Sequence, residues 1–351
     1  MSTTKPFDFL VFIGRFQPFH SGHFAVIEAG LAQAEQLIVL CGSAHQPRSV
    51  RNPWTVAERE TMIRGALQET DNARVHIAPL MDSVYNDESW VRHVQATVNG
   101  LVTENHSAAP HRQAKIGLIG HSKDHSAYYL NLFPQWDAVE VENFRDISAT
   151  PIREALFSQG EGYLRKDAST VLLTHVCDQI AAFCETDAFS EVKAEQAFVT
   201  KYQHAWATAP YAPTFVTVDA VVIQSGHVLL VERKARPGKG LFALPGGFVD
   251  QDERLVDACL RELREETNLK VPTPVLKGSI KAQRVFDDPH RSARGRTITH
   301  AFYIELEPNK ILPKVKGGDD AKHATWVPLA NLNPCKLFED HYFIIQKMTG
   351  L

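Results

Sequence analysis

Two short segments of this 351-residue chain carry residue types suited to chemistry on phosphate groups. The first reads Gly-Arg-Phe-Gln-Pro-Phe-His-Ser-Gly-His and runs from Gly14 to His23. It follows a strand-like apolar run and opens a helix-like amphipathic run. A helix N-terminus offers unpaired backbone N–H groups and the positive end of the helix dipole to an anion. The segment therefore favours a phosphate site, at which His20 and His23 donate and Arg15 adds a fixed charge.

A second piece of this site is the run Ile147–Arg153, Ile-Ser-Ala-Thr-Pro-Ile-Arg. Thr150 suits an N-cap and Pro151 suits the first helical position, so the run predicts another helix N-terminus. Ser148 and Arg153 are then available to phosphate. Such a site can support nucleotidyl transfer, in which an acceptor phosphate attacks the α-phosphorus of ATP and the enzyme positions and neutralises the reactants.

The other segment lies in the second half, where Gly247 is followed at fixed spacing by Glu253 and then by Arg261 to Leu269. On a helix, Glu262, Glu265 and Glu266 stand at positions i, i+3 and i+4, so their carboxylates share one face. Clustered carboxylates repel one another, and a hard cation such as Mg²⁺ or Mn²⁺ would compensate their charge. A solvated acidic helix face is the alternative.

Alternating segments in the first half indicate a parallel sheet with helices on both faces. The predicted strands are Phe9–Ile13, Leu37–Cys41, Val75–Leu80, Ile116–Ile119 and Ala138–Val141. The predicted helices are Phe24–Gln33, Val56–Gln68, Ser89–Leu101 and His125–Leu132, with Pro151–Ser158, Ala168–Cys184 and Glu191–Trp206 after them. Such a sheet binds ligands at the carboxyl ends of its strands.

The second half has an α+β pattern. Predicted strands Phe215–Ile223 and Val228–Glu232 flank a hairpin turn, and a predicted helix spans Glu253–Thr267. Further strands are predicted around Lys277–Phe286, Thr297–Leu306 and Ala324–Val327. We therefore predict an α/β domain over residues 1–186, a helical linker over 187–213 and an α+β domain over 214–351.

Bulk properties limit the partners. The net charge is −4, so no basic field attracts nucleic acid or an anionic membrane surface. The five cysteines form no Cys-x-x-Cys pair, and no signal-like leader or membrane-length apolar run is present. We expect a cytosolic protein whose ligands are small nucleotides; the sequence leaves homo-oligomerisation open.

The first segment resembles the nucleotidyltransferase superfamily, through Gly-x-Phe-x-Pro-x-His-x-Gly-His and the later Ile-Ser-x-Thr-x-x-Arg. With Gly42-Ser43-Ala44 and the run from Arg51 to Arg59, it is similar to archaeal-type nicotinamide mononucleotide (NMN) adenylyltransferases. The resemblance covers about the first 160 residues. It implies that Trp90 packs near nicotinamide, although a tryptophan on an amphipathic helix can equally be a core residue. The stretch Lys123–Tyr129 departs from the family pattern.

The second segment resembles the Nudix box, with Asn268 where that family has glycine. Because this position should end the helix in a left-handed conformation, asparagine is the next best residue. The loop from Phe286 to Arg296 resembles ADP-ribose pyrophosphatases of this family; a solvated basic loop is the alternative. Asp319 and Asp320 are weak candidates for the general base, since an exposed turn also explains them.

These resemblances predict a Rossmann-like parallel-sheet nucleotidyltransferase domain followed by an α+β Nudix domain. The predicted catalytic residues are His20, His23, Arg51, Glu265 and Glu266. The predicted substrate or ATP contacts are Gly14, Arg15, Phe16, Gly22, Trp90, Gly120, Ser148, Thr150, Arg153, Arg291, Arg294 and Arg296. The predicted metal site, for Mg²⁺ or Mn²⁺, comprises Gly246, Glu262, Glu265 and Glu266. Gly246 and Gly247 would form a tight turn that brings backbone carbonyls towards the metal.

The chain therefore resembles a bifunctional NMN adenylyltransferase and ADP-ribose pyrophosphatase. One half would make NAD⁺ and diphosphate from NMN and ATP, and the other would cleave ADP-ribose to AMP and ribose 5-phosphate. An alternative keeps both chemistries with another phosphorylated acceptor and a dinucleotide such as NADH. An ADP-ribose-sensing regulator is a third hypothesis, but about 80 residues after Leu269 leave no room for a DNA-binding module.

Overall fold

The computed structural model describes residues 5–106, 113–120, 131–142, 144–166, 168–318 and 321–351. The chain forms two compact units, Met1–Lys193 and Ala194–Leu351. The division falls inside the predicted linker 187–213, within a helix that spans Asp187–His204. Among the described residues, no helix has the length and apolar character needed to span a membrane.

The first unit contains a parallel sheet, as predicted. Its strands are β1 (Phe7–Gly14), β2 (Ala34–Cys41), β3 (Val75–Pro79), β4 (Ile116–Gly120) and β5 (Asp137–Glu140). They pair in the order β3-β2-β1-β4-β5, and every neighbouring pair is parallel. The chain leaves β1 in one direction and returns to its other side with β4. The carboxyl ends of β1 and β4 therefore meet at the switch point, where such sheets bind ligands.

Helices surround this sheet. They are α1 (Ser21–Gln33), α2 (Val56–Arg64), α3 (Glu69–Asn72), α4 (Asp87–Asn105), α5 (Ala149–Gln159), α6 (Glu161–Lys166), α7 (Thr174–Cys184) and α8 (Asp187–His204). One predicted cap is wrong: Ser148, not Thr150, is the N-cap of α5, and Thr150 lies inside the first turn. Most of the predicted helix at 125–132 and the divergent stretch 123–129 lie outside the described residues.

The core of the first unit covers both faces of the sheet. Leu10 and Phe12 of β1 pack into one cluster, which includes Ile27 of α1. Phe9 and Val11 point to the opposite cluster, with Val94 of α4. A strand buried on both faces reads as a continuous apolar run, which explains the sequence of β1.

The second unit is built on a mixed sheet. Its strands are β6 (Phe215–Gln224), β7 (His227–Arg233), β8 (Phe242–Ala243), β9 (Gly246–Phe248), β10 (Ile280–Phe286), β11 (Thr297–Glu305) and β12 (Ala321–Pro328). The main order is β10-β11-β6-β7-β12, with β8 on β7 and β9 on β6. The pair β6–β11 is parallel and the others are antiparallel. The α+β prediction is thus confirmed.

Three helices complete the second unit, α9 (Leu255–Thr267), α10 (Thr273–Gly278) and α11 (His341–Thr349). The apolar side of α9, including Ala258 and Leu263, packs on Val218 and Val222 of β6. The predicted strand at Lys277 begins only at Ile280, because Thr273–Gly278 form α10 directly after Pro272. The sequence analysis did not predict helix α11, although this helix positions part of the site described below.

Asn268 ends α9 in the left-handed conformation, with φ 50° and ψ 28°, as expected for the position where glycine is usual. We predict that Asn268→Val destabilises the second unit by about 1–2 kcal/mol more than Asn268→Gly, because a β-branched residue is strained at positive φ. Calorimetric unfolding of both variants measures this difference. Equal losses would contradict the assignment of the cap.

Candidate active sites

The Gly14–His23 segment forms the turn between the carboxyl end of β1 and the start of α1. His20 is the N-cap of α1, and its Nδ1 accepts a hydrogen bond from the backbone N–H of His23 at 3.3 Å. The two imidazole rings stack with centroids 3.6 Å apart. Because Nδ1 of a neutral His20 accepts here, its proton lies on Nε2.

The phenylalanines of this segment hold the histidines. The buried Phe16 ring meets the His23 ring edge-on at 4.9 Å, and Phe19 stacks on it at 5.8 Å. A Cβ at Gly14 would lie 2.7 Å from Cζ of Phe16, so only glycine fits that position. Phe16, predicted as a ligand contact, is 1% exposed and supports His23 from beneath.

Three arginines meet at this end of the sheet. Burial, followed by repulsion from Arg51 and Arg153, lowers the pKa of Arg15 to about 10. Burial and Arg51 likewise lower the pKa of Arg153 to about 10. Nη1 of Arg15 is buried and has no hydrogen-bond partner among the described residues. Concentrated positive charge of this kind is suited to a polyanion.

The second predicted piece joins the first. A Cβ at Gly22 would lie 3.2 Å from the His20 ring and 3.7 Å from Ile147, so the start of α5 approaches the start of α1. Arg153 donates to the Gln17 carbonyl at 2.7 Å and to Oγ1 of Thr150 at 3.1 Å. Ser148 caps α5 without a side-chain hydrogen bond.

Two further predicted residues lie at the edges of this site. Gly120 is the last residue of β4, beside β1 at the switch point. Trp90 lies in the first turn of α4 and is half-buried, with its ring 6.0 Å from that of Phe133. That packing supports the core alternative for Trp90, and a contact with nicotinamide stays a prediction.

Sequence reasoning missed the residues that hold the backbone of this site. Arg59 is 1% exposed, and its Nη1 donates to the carbonyls of Arg15 at 2.7 Å and Gly42 at 2.6 Å. The side-chain amide of Gln17 exchanges two hydrogen bonds with the backbone of Trp54, at 2.7 and 2.9 Å. The sequence feature that could have indicated this support is Arg59, an arginine on the inner face of α2.

In the second unit, the predicted carboxylates project from α9. Arg261 organises them: its Nη1 donates to Glu262 at 2.8 Å and to Glu265 at 2.9 Å, and its Nε donates to Glu253 at 3.0 Å. The hydrogen bonds that Arg261 donates to Glu253, and then to Glu262 and Glu265, hold the pKa of Arg261 above its usual value. Arg261 lies four residues before Glu265 on α9, and this contact lets it orient the Glu265 carboxylate.

Glu266 is held separately from the other two carboxylates. Its Oε2 accepts the backbone N–H of Gly246 at 3.0 Å. Burial is the main reason that its pKa rises to about 8, and the charges of Glu262 and Asp219 raise it further. Burial also raises the pKa of Glu262. A cation beside these groups would relieve this accumulation of negative charge.

Both glycines before α9 lie in close contact with their neighbours: a side chain at Gly246 would clash with backbone, and one at Gly247 would have to displace Glu262. A Cβ at Gly247 would lie 2.5 Å from Oε1 of Glu262. A Cβ at Gly246 would lie 2.1 Å from the Val218 carbonyl and 2.7 Å from Oδ1 of Asp219. The predicted role of these glycines was a tight turn with carbonyls near a metal; the contact shown here is made by the Gly246 amide.

The three arginines predicted as substrate contacts differ in environment. Arg291 is only 7% exposed, and its guanidinium binds both carboxylate oxygens of Asp340 at 2.9 Å. Arg294 is half-buried, with its guanidinium carbon 5.3 Å from the centre of the Phe248 ring. Arg296 donates to the Asp287 carbonyl. Arg294 is therefore better placed than Arg291 to meet a ligand, and Asp319 and Asp320 lie outside the described residues.

The comparisons with known proteins agree with this division into two sites. The family model described as Cytidylyltransferase-like matches residues 11–155, and the model described as NUDIX domain matches residues 213–348. The chain is 44% identical over 152 residues to the nicotinamide/nicotinic acid mononucleotide adenylyltransferase of Acinetobacter baylyi. That match covers 43% of this chain and 76% of the relative.

A second relative matches the other half. The chain is 39% identical over 136 residues to the ADP-ribose pyrophosphatase of Methanocaldococcus jannaschii, which covers 39% of this chain and 73% of that protein. One crystal structure spans both halves: a bifunctional NMN adenylyltransferase/ADP ribose pyrophosphatase from Francisella tularensis, complexed with AMP and a Mn ion. It has a TM-score of 0.87 and 35% identity, and the match covers 98% of this chain and 99% of that one. This chain belongs to that bifunctional family. Both enzyme activities predicted from the sequence are the activities of its relatives.

The packing at Gly247 yields a test of the family's second site. We predict that Gly247→Ala removes dinucleotide hydrolysis, because the added methyl group displaces Glu262, and leaves adenylyl transfer intact. Gly278→Ala is the matched control, since a Cβ there meets nothing within 4 Å. Assays of both activities on both variants decide the outcome, and unchanged hydrolysis in Gly247→Ala would contradict the prediction that displacing Glu262 stops the reaction.

Proposed function

We propose that the chain catalyses two separate reactions of NAD metabolism. The first unit transfers the adenylyl group of ATP to NMN and releases diphosphate, forming NAD⁺. The second unit hydrolyses ADP-ribose to AMP and ribose 5-phosphate with a divalent cation. The observation that carries this proposal is the match to a bifunctional enzyme over 98% of the chain, with the charged residues of both sites present.

In the first reaction, an NMN phosphate oxygen forms a bond to the α-phosphorus of ATP, and the bond from that phosphorus to the diphosphate oxygen breaks. His20 and His23 lie at the start of α1, where they can donate to the phosphates. Arg15, Arg51 and Arg153 offset the negative charge that builds up between the reactants. This chemistry needs no covalent intermediate, so the chain has only to position the two reactants and neutralise the charge of their phosphates.

In the second reaction, Glu262, Glu265 and Glu266 would hold Mg²⁺ or Mn²⁺. The donor set fits a hard cation, because all three ligands are carboxylates and the pKa of Glu266 is already raised by burial and neighbouring charge. Among the described residues, no three acidic, histidine or cysteine side chains already converge as ligands; Glu262 and Glu265 both turn to Arg261. When bound, the cation supplies charge neutralisation of the diphosphate and a more acidic water.

We predict that His23→Ala lowers the rate of NAD⁺ formation by about 100-fold or more, the typical effect of removing a donor to developing charge. Hydrolysis of ADP-ribose should be unchanged. His106→Ala is the matched control. The His106 ring lies 6.2 Å from the ring of Phe9, near the start of β1, whereas His23 follows the end of that strand. Steady-state kinetics with NMN, ATP and Mg²⁺ measure the effect, and an active His23→Ala enzyme would rule out the assigned role.

We predict the reverse pattern for Glu266→Gln. This change keeps the shape of the side chain but removes its charge, so ADP-ribose cleavage should fall to background while NAD⁺ formation continues. Glu305→Gln, at the exposed end of β11, is the control. Loss of both activities in folded protein would contradict independent sites.

A substrate panel separates the proposal from its alternative. If another phosphorylated acceptor replaces NMN, or if NADH is cleaved in preference to ADP-ribose, the two chemistries stand and the substrate assignment fails. The regulator hypothesis would require ADP-ribose to bind without being cleaved.

A further inference from the structure

A buried polar cluster in the second unit has no part in the reaction described above. It consists of Asp219 of β6, Arg291, Thr299 of β11, Asp340 and His341, and each residue is 7% exposed or less. Buried ionisable groups are costly unless they are paired, and paired ones add little net stability. The contribution of this cluster therefore lies in the geometry that it imposes on its surroundings.

The cluster fixes the start of α11. The two-point contact between Arg291 and Asp340, at 2.9 Å for both hydrogen bonds, holds the N-cap residue of this helix. His341 is the first residue of the helix and is therefore held with it. A bidentate guanidinium–carboxylate pair restricts both position and orientation, unlike a single contact.

His341 in turn holds the backbone before α9. Its Nδ1 accepts a hydrogen bond from the backbone N–H of Leu244 at 2.8 Å, so the ring acts here as a neutral acceptor. Burial, partly opposed by the charge of Asp340, lowers the pKa of His341 to about 3. Its Nε2 lies 4.0 Å from Oδ1 of Asp219, whose other oxygen accepts from Thr299 at 2.5 Å.

The backbone that His341 holds at Leu244 continues directly to the residue that contacts Glu266. Two residues after Leu244, the N–H of Gly246 donates to Oε2 of Glu266 at 3.0 Å. Gly246 also packs closely against Asp219, because a Cβ at Gly246 would lie 2.7 Å from Oδ1 of Asp219. The segment Leu244–Gly246 is thus fixed by His341 at one end and by Asp219 and Glu266 at the other.

We propose that His341, fixed by the Arg291–Asp340 pair, is a positioning residue for the hydrolase site: it sets the Leu244–Gly246 backbone and through it the direction of Glu266. This proposal rests on the proposed hydrolase function. It gives Arg291 a structural task behind the site in place of the predicted contact with substrate. Neither residue belongs to the Gly247–Leu269 segment that marks the site in the sequence.

The test compares His341→Ala with His341→Asn in the full-length chain. The asparagine amide oxygen can accept from Leu244 in place of Nδ1, whereas alanine cannot. Mn²⁺ affinity is measured by electron paramagnetic resonance, together with kcat and KM for ADP-ribose. NAD⁺ formation by the same chain reports on its overall integrity. Tyr342→Phe, which alters the next residue of α11 away from Leu244, is the matched control.

We expect His341→Ala to weaken Mn²⁺ binding by about 10–100-fold and to lower kcat, with little change in KM, as for other residues that orient metal ligands. His341→Asn should recover most of both losses. If alanine binds Mn²⁺ as wild type does, or if asparagine is as impaired as alanine in equally folded protein, the proposal is overturned.

Arg291→Lys keeps the proposal testable if His341→Ala does not fold. Lysine keeps the charge but loses the two-point contact with Asp340. We expect weaker Mn²⁺ binding with KM for ADP-ribose unchanged, whereas a raised KM with normal Mn²⁺ binding would make Arg291 a substrate contact and overturn the proposal. Glu266→Gln distinguishes a failure of the His341 proposal from a failure of the proposed hydrolase site. If Glu266→Gln leaves Mn²⁺ binding intact, the proposed hydrolase site itself is wrong.

Discussion

The burial of like charges close together is the constraint on which both sites depend. In the first unit, burial and then the charge of Arg51 lower the pKa of both Arg15 and Arg153 to about 10. In the second unit, burial raises the pKa of Glu266 and of Glu262, and neighbouring carboxylates raise both further. Such arrangements cost folding free energy in the absence of a ligand of opposite charge. The surrounding structure must therefore hold them in place.

Each site meets this requirement with contacts from elsewhere in its own unit. In the first, Arg59 binds the carbonyls of Arg15 and Gly42, and Gln17 binds the backbone of Trp54. In the second, Arg261 joins Glu253, Glu262 and Glu265 into one group. Glu266 depends on the backbone of Gly246 instead. Rigid backbone donors and buried arginines lose little entropy on binding a ligand, so they preorganise the charge.

In both sites the candidate functional residues lie close together in sequence. Most of the first site is the single ten-residue segment Gly14–His23, because a strand end and a helix start already bring His20 and His23 together. The carboxylates of α9 are likewise placed by helical periodicity alone. The supports are not local: Arg59 lies 44 residues from Arg15, and His341 lies 97 residues from Leu244.

The sequence alone determined the two reaction types, the parallel sheet of the first unit, the α+β class of the second and the carboxylate face. Strand alternation, helix periodicity and motif spacing are properties of neighbouring residues. It also predicted that Asn268 could end α9, which its φ of 50° confirms. Only the tertiary structure placed the α5 cap at Ser148, buried Phe16 and Arg291, and brought Asp219 against Gly246 and His341 against Leu244. Those outcomes depend on contacts between distant segments, and no local pattern records which buried partner a charged side chain will find.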